Sequence, residues 1–101
     1  MKKIINGRLY NTETAKDLGR NWHGCAGDFR HYVEVLYLKK TGEFFLFGEG
    51  GAMTKYSTSC VDGCRTGGED IIPLTESEAR QWAEENLSVD EYINAFGEPE
   101  E

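Results

Sequence analysis

The stretch "FRHYVEVLYL", residues 29–38, constrains this chain more than any other. Phe29, His31, Val33, Val35 and Tyr37 fall on one side of a period-two pattern, and Arg30, Tyr32, Glu34, Leu36 and Leu38 on the other. Alternation rich in β-branched and aromatic residues specifies a strand, because successive side chains of extended backbone point to opposite faces. "KKTG" follows as a turn. "EFFLF" then returns as a strand apolar on both faces, hence central in its sheet.

The flanking segments extend this sheet. In "KKIINGRLY" the Asn6-Gly7 pair is suited to the positive φ angles of a type I′ turn, which predicts a hairpin with strands near 2–5 and 8–11. Thr12 is a candidate cap for a short helix ending by Gly19. After the second central strand, "GEGG" reads as a break, "AMTKYSTS" as a further strand and "CVDGCRTGGED" as an irregular loop. Pro73 disfavours helix at Ile72, so "DII" reads as a short edge strand or connector. Thr75 with Glu78, and Ser88 with Glu91, spell two capping boxes. Behind the first, Ala79, Trp82 and Ala83 share a stripe, with Ser77, Gln81, Glu84 and Glu85 facing outward. Behind the second, Val89, Tyr92, Ile93 and Phe96 share another, stopped by Gly97. The predicted fold is α+β: an antiparallel meander with a leading N-terminal hairpin, packed on one face by two short C-terminal amphipathic helices. All 101 residues form a single domain in this reading, sheet over about 1–74 and acidic helical part over about 75–97.

Charge is distributed unevenly along the chain. Residues 1–68 carry ten Lys/Arg against seven Asp/Glu, whereas residues 69–101 carry one, Arg80, against eleven. Carboxylates in first turns favour the positive end of each helix dipole, so part of the excess is local helix chemistry. Glu84, Glu85 and the "GEPEE" terminus are not explained that way. An acidic helical face suits a basic surface on another protein, such as a nucleic-acid channel, and disfavours direct binding to DNA or RNA, whose phosphates need cations. The longest strictly apolar stretch, Phe44 to Phe47, is four residues, far short of the roughly 20 that span a membrane. Asn6, Gly7 and Arg8 interrupt any apolar run after "MKKII", so no signal peptide and a cytoplasmic location are expected.

Other constellations carry less. His23, Cys25, Cys60 and Cys64 supply four soft ligands, which makes a small zinc-stabilised interaction module an alternative reading. The tight His-x-Cys spacing and an odd count of three cysteines favour free thiols instead, so no metal or other cofactor is expected. On a strand His31 points away from Glu34, and Asp28 fails the same test, which argues against a metal-dependent nuclease. "GEGGAMTK" misses both phosphate-loop spacings. Tyr10, Tyr32, Tyr37, Tyr56, Phe44, Phe45 and Phe47 offer an aromatic surface on which RNA bases stack in other proteins, but the basic-aromatic signature of such sheets is missing.

The opening "MKKIINGRLYNTETA" resembles the N-terminal segment shared by small proteins from phages and mobile elements of Gram-positive bacteria, several of which are anti-CRISPR proteins that inhibit type II-A Cas9. The likeness continues loosely through "LYLKKTGEFFLFGEGGAMTKY" and "IIPLTESEA". It implies an inhibitor that acts in the bacterial host cell by binding Cas9 or its guide-RNA complex. A guide-cleaving activity known among such relatives is not expected in a chain that stops after two short helices, and no catalytic residue is carried over. Cas9-type proteins hold guide and heteroduplex in positively charged channels, reading backbone and shape. Glu69, Asp70, Glu84, Glu85, Asp90 and Glu91 are the carboxylates expected to meet such a channel, at guide loading or at DNA binding.

Overall fold

A computed structural model describes residues 1–24, 31–51, 58–59, 65–66 and 68–98. The elements run β1 (Lys2–Ile5), β2 (Arg8–Asn11), β3 (Lys16–His23), β4 (Tyr32–Leu38), β5 (Phe44–Gly50), β6 (Thr58–Ser59), β7 (Arg65–Thr66), β8 (Gly68–Leu74), α1 (Glu76–Asn86) and α2 (Val89–Phe96). The fold is α+β. β3, β4, β5 and β8 form an antiparallel sheet in the spatial order β3-β4-β5-β8, while β1 pairs with β2 and β6 with β7. β5 is central, as its two-sided apolar pattern requires.

Each face of the four-stranded sheet has its own cover. On one side Leu36, Phe44 and Leu46 pack against Ala79, Trp82 and Ala83, with Leu87, Tyr92 and Phe96 around them. On the other, Tyr10 from the hairpin packs with Phe45 and Ile71, joined by Met1, Ile5 and Ala15. Tyr10 meets Phe45 edge-on with centroids 5.5 Å apart, and Tyr37 stacks on Phe45 at 5.2 Å, both favourable aromatic geometries. Asn6 and Gly7 hold φ of 52° and 78°, the turn their sequence specifies.

Glu43 fastens the hairpin to the β4–β5 turn. Its carboxylate accepts from Arg8 (3.2 Å), Lys39 (3.4 Å), Thr41 (3.3 Å) and the Tyr10 hydroxyl (3.4 Å). The hydrogen bond from Arg8 holds this carboxyl below its ordinary value of 4.5, with the charges of Arg8 and Lys39 acting in the same direction. A depressed carboxyl pKa stabilises the fold at neutral pH, and that contribution is lost as pH falls through the folded-state value. Urea unfolding of wild type and Glu43→Gln is therefore expected to differ most near neutrality and to converge in acid. A constant difference from pH 7 to pH 3 would contradict this role.

Several sequence expectations are corrected. The helix placed between Thr12 and Gly19 is instead a turn followed by β3. The Thr12 hydroxyl receives the N-terminal amine at 2.8 Å and so caps no helix, while β3 is held by its ladder to β4. The ladder contains a bulge, with Leu18 as the extra residue between Asp17 and Gly19. Gly19 has φ of 152°, and a Cβ there would lie 2.6 Å from Leu87 Cδ2, so the helix connection rests on a surface only glycine provides. Gly19→Ala is expected to cost about 1–3 kcal/mol in urea unfolding. A loss below about 0.5 kcal/mol would mean that Leu87 yields freely.

"GEGG" does not end β5, because Gly48 and Gly50 remain in register with β4 and β8. Likewise Gly68–Asp70, expected in a loop, belong to β8, an edge strand in which Pro73 is accommodated. Within "AMTKYSTS" and the following loop, Thr58–Ser59 and Arg65–Thr66 form the short β6–β7 pair. Phe29 and Arg30, residues 52–57, and Cys25, Cys60 and Cys64 lie outside the described residues.

Candidate functional site

Both capping boxes form. Thr75 Oγ1 accepts from Glu78 N at 3.1 Å while Glu78 Oε1 accepts from Thr75 N at 3.0 Å. Ser88 and Glu91 repeat the exchange at 3.2 Å in each direction. Glu78 is held below the usual carboxylate range by the Thr75 backbone amide. Glu78 and Glu91 therefore work inside the fold.

The remainder of α1 is oriented by its buried stripe. Ala79, Trp82 and Ala83 face the sheet, and Trp82 Nε1 donates to the buried Glu34 carboxylate at 3.2 Å. A buried carboxylate needs such donors, so this bond fixes the rotation of α1 as well as its position. At the C-terminal end Asn86 Nδ2 donates to the Trp82 carbonyl at 2.9 Å, while Asn86 Oδ1 accepts from Asn21 of β3 at 2.7 Å. Ser77, Gln81, Glu84 and Glu85 are left exposed, as their spacing predicts. With Arg80 they line a shallow depression of about 440 Å³.

Arg80, the single base among residues 69–101, is engaged within the fold. Its guanidinium lies 3.6 Å from Glu76, 5.0 Å above the Phe96 ring, and in hydrogen-bonding contact with Tyr92, which raises its pKa further. It joins α1 to α2 and so compensates Glu76 rather than Glu84 or Glu85. On α2, Tyr92, Ile93 and Phe96 are half-buried as expected, but Val89 is 74% exposed. Val89 opens the first turn and stays outside the contact that Tyr92 and Phe96 make with the core, so only the later part of the predicted stripe packs.

The six carboxylates expected at a partner surface do not form one patch. Asp70 pairs with Lys3 and also accepts from the Ile71 amide, so its charge is compensated by the hairpin. Glu69 is exposed on β8, directly opposite Glu49 of β5. Glu91 lies at the other edge, its Oε2 3.3 Å from where a Cβ on Gly19 of β3 would be. Three strand spacings, about 14 Å, separate those two edges. Glu84, Glu85, Asp90 and Glu91 form the helical group, and among the described residues none of them makes an ion pair with a basic side chain. Glu49 is the carboxylate sequence reasoning missed; β5 had to be followed through its glycines to find it.

The alternative sites fare differently. His23 stacks on Tyr32 at 4.2 Å and contacts Asn21 at 3.1 Å, and its three proposed cysteine partners lie outside the described residues. Among the described residues no group of three His, Cys, Asp or Glu is arranged to hold a metal ion. Glu34 turns toward Trp82, on the helix-covered side of the sheet. Of the aromatic residues considered for base stacking, Tyr10, Phe44 and Phe45 are buried in the two cores. No helix among the described residues is long and apolar enough to cross a membrane. Comparison with known proteins returns no matching family model, no matching curated protein and no matching solved structure.

Proposed function

We propose that this chain is a non-catalytic inhibitor of Cas9, of the anti-CRISPR kind, which presents the outer face of α1 and the first turn of α2 to a cationic nucleic-acid groove of the effector. One observation carries the reading: Glu84 and Glu85 are exposed on α1, whose Ala79, Trp82 and Ala83 are buried against the sheet, Asp90 is exposed on α2, whose half-buried Tyr92 and Phe96 pack on the same core, and among the described residues none of the three makes an ion pair with a basic side chain. Fixed carboxylates on a rigid scaffold compete for lysines and arginines without the ordering cost that a flexible acidic tail incurs. Complementary charge accelerates encounter and sets orientation. Exposed ion pairs contribute little singly, so the complex also needs buried apolar anchors. Val89, 74% exposed at the start of α2, is one such group beside Asp90.

An order-of-addition cleavage assay tests this reading. The protein is added to Cas9 before or after guide RNA, and cleavage of target DNA is followed. Loss of cleavage only when the protein comes first assigns the block to guide loading, and equal loss in both orders assigns it to DNA binding. Undiminished cleavage in both orders removes the proposal.

A further inference from the structure

β3 and β8 are the two edges of the four-stranded sheet. An exposed edge presents unpaired N–H and C=O groups and invites another strand, so folds blunt it with proline, charge or a bulge. β8 carries Pro73 and is tied to the hairpin through Lys3 and Asp70. The first half of β3 carries Lys16 and the bulge at Leu18. Its second half has no proline and no bulge, and its one charge, Arg20, is paired with Asp17 at 2.6 Å.

The register shows which groups of that half face outward. Gly51 N donates to the His31 carbonyl and Lys39 N to the Glu43 carbonyl, so odd-numbered residues of β4 turn their polar groups toward β5. Even-numbered residues of β4 turn theirs toward β3, where their partners are Gly19, Asn21 and His23. The N–H and C=O of Arg20 and Trp22 therefore point away from the sheet, and among the described residues no strand pairs with them. The same two residues have exposed side chains, Trp22 at 60%, the most exposed aromatic among the large apolar residues.

We propose that this edge joins two copies of the chain. An antiparallel pairing about a two-fold axis through Asn21 sets Arg20 of each copy opposite Trp22 of the other. It closes both outward N–H and C=O pairs in four hydrogen bonds and extends the sheet from four strands to eight. The pairing is self-complementary in side chains as well as backbone. Residues directly opposite lie on the same face, so each guanidinium, held on one side by Asp17 of its own chain at 2.6 Å, turns its face to the other copy's indole in a cation–π contact. The register also sets Gly19 opposite His23, so Glu91, which overhangs Gly19, comes beside the imidazole of the second copy. A second copy is favoured over a foreign peptide because the outward backbone groups, the Trp22 indole and the His23 imidazole each find a complement in the same edge of the other copy, as an isologous contact requires. Few residues are involved, so the dimer is concentration-dependent rather than obligate.

Sedimentation equilibrium over a wide concentration range tests the inference. The weight-average mass is expected to rise from 11.4 kDa toward twice that value as concentration increases. Trp22→Pro removes the outward N–H without touching the β3–β4 ladder, and Arg20→Gln removes the cation while keeping a side chain of similar length. Both variants are expected to stay at the monomer mass at concentrations where wild type is mostly dimeric, with unchanged circular dichroism. The Arg20→Gln arm keeps the test decisive should Trp22→Pro disturb the strand. A wild type that remains monomeric throughout, or variants that associate as wild type does, would overturn the inference.

Discussion

Reversal of Glu84, Glu85 and Asp90 to lysine is expected to weaken inhibition of Cas9 cleavage by about 100-fold or more. Each reversal adds two charges, so the three together move the formal net charge from −7 to −1. Deleting an exposed ion pair costs only about 0.2–1 kcal/mol, but setting like charges against one another costs several. A loss of about 3 kcal/mol corresponds to roughly two decades in affinity. Glu91 is left out of this variant because its carboxylate closes the Ser88 capping box, and its reversal would confound binding with helix stability. Glu69→Lys provides the control for net charge, since Glu69 lies on β8, the edge strand opposite β3. It is expected to leave inhibition near the wild-type level. Glu69→Lys moves the net charge by two units against six for the triple reversal, so a loss of about a third as many kcal/mol from it would show that overall charge, not this face, matters.

Trp82→Ala is expected to cost about 3–5 kcal/mol of stability, a large part of what a domain of this size possesses. Trp82 fills the space between α1 and the sheet beside Leu36 and Leu46, and its indole N–H satisfies the buried Glu34 carboxylate. Truncation opens a cavity and withdraws a hydrogen-bond donor from the buried Glu34 side chain at once. Trp82→Phe separates the two effects: the ring volume is largely kept and the donor is lost, for an expected cost of about 1–3 kcal/mol. Urea midpoints of the three proteins measure both. Comparable stability of Trp82→Ala and wild type would show that α1 is not held by this stripe, and the rigid acidic face would lose its physical basis.

The sheet and helices were legible in the sequence wherever one local signal met no competitor. Asn6-Gly7 specified its turn, the period-two pattern over Tyr32–Leu38 its strand, and the two capping boxes their helix starts. The failures have a common cause. β3 has weak alternation, a bulge and a glycine, and it is a strand because β4 offers a ladder to it and Leu87 needs Gly19 beneath it. β5 and β8 extend through glycines for the same reason, since a ladder outweighs local preference. At the candidate surface, exposure of Glu84 and Glu85 followed from helical spacing alone. Compensation of Asp70 by Lys3 joins residues far apart in sequence and needed the fold. So did the engagement of Arg80 with Glu76, Tyr92 and Phe96, which leaves the outer face more anionic than the local sequence implied.

Titration of this protein into Cas9, without and with its guide RNA, followed by calorimetry at low and at physiological salt, is the most direct test of an acidic helical face acting on a cationic groove. A one-to-one complex is expected, with an affinity that falls as salt rises and that the Glu84, Glu85 and Asp90 reversal lowers by about 100-fold or more while the helices remain folded. No heat of binding at either salt concentration, or binding that the reversed protein retains in full, would contradict it.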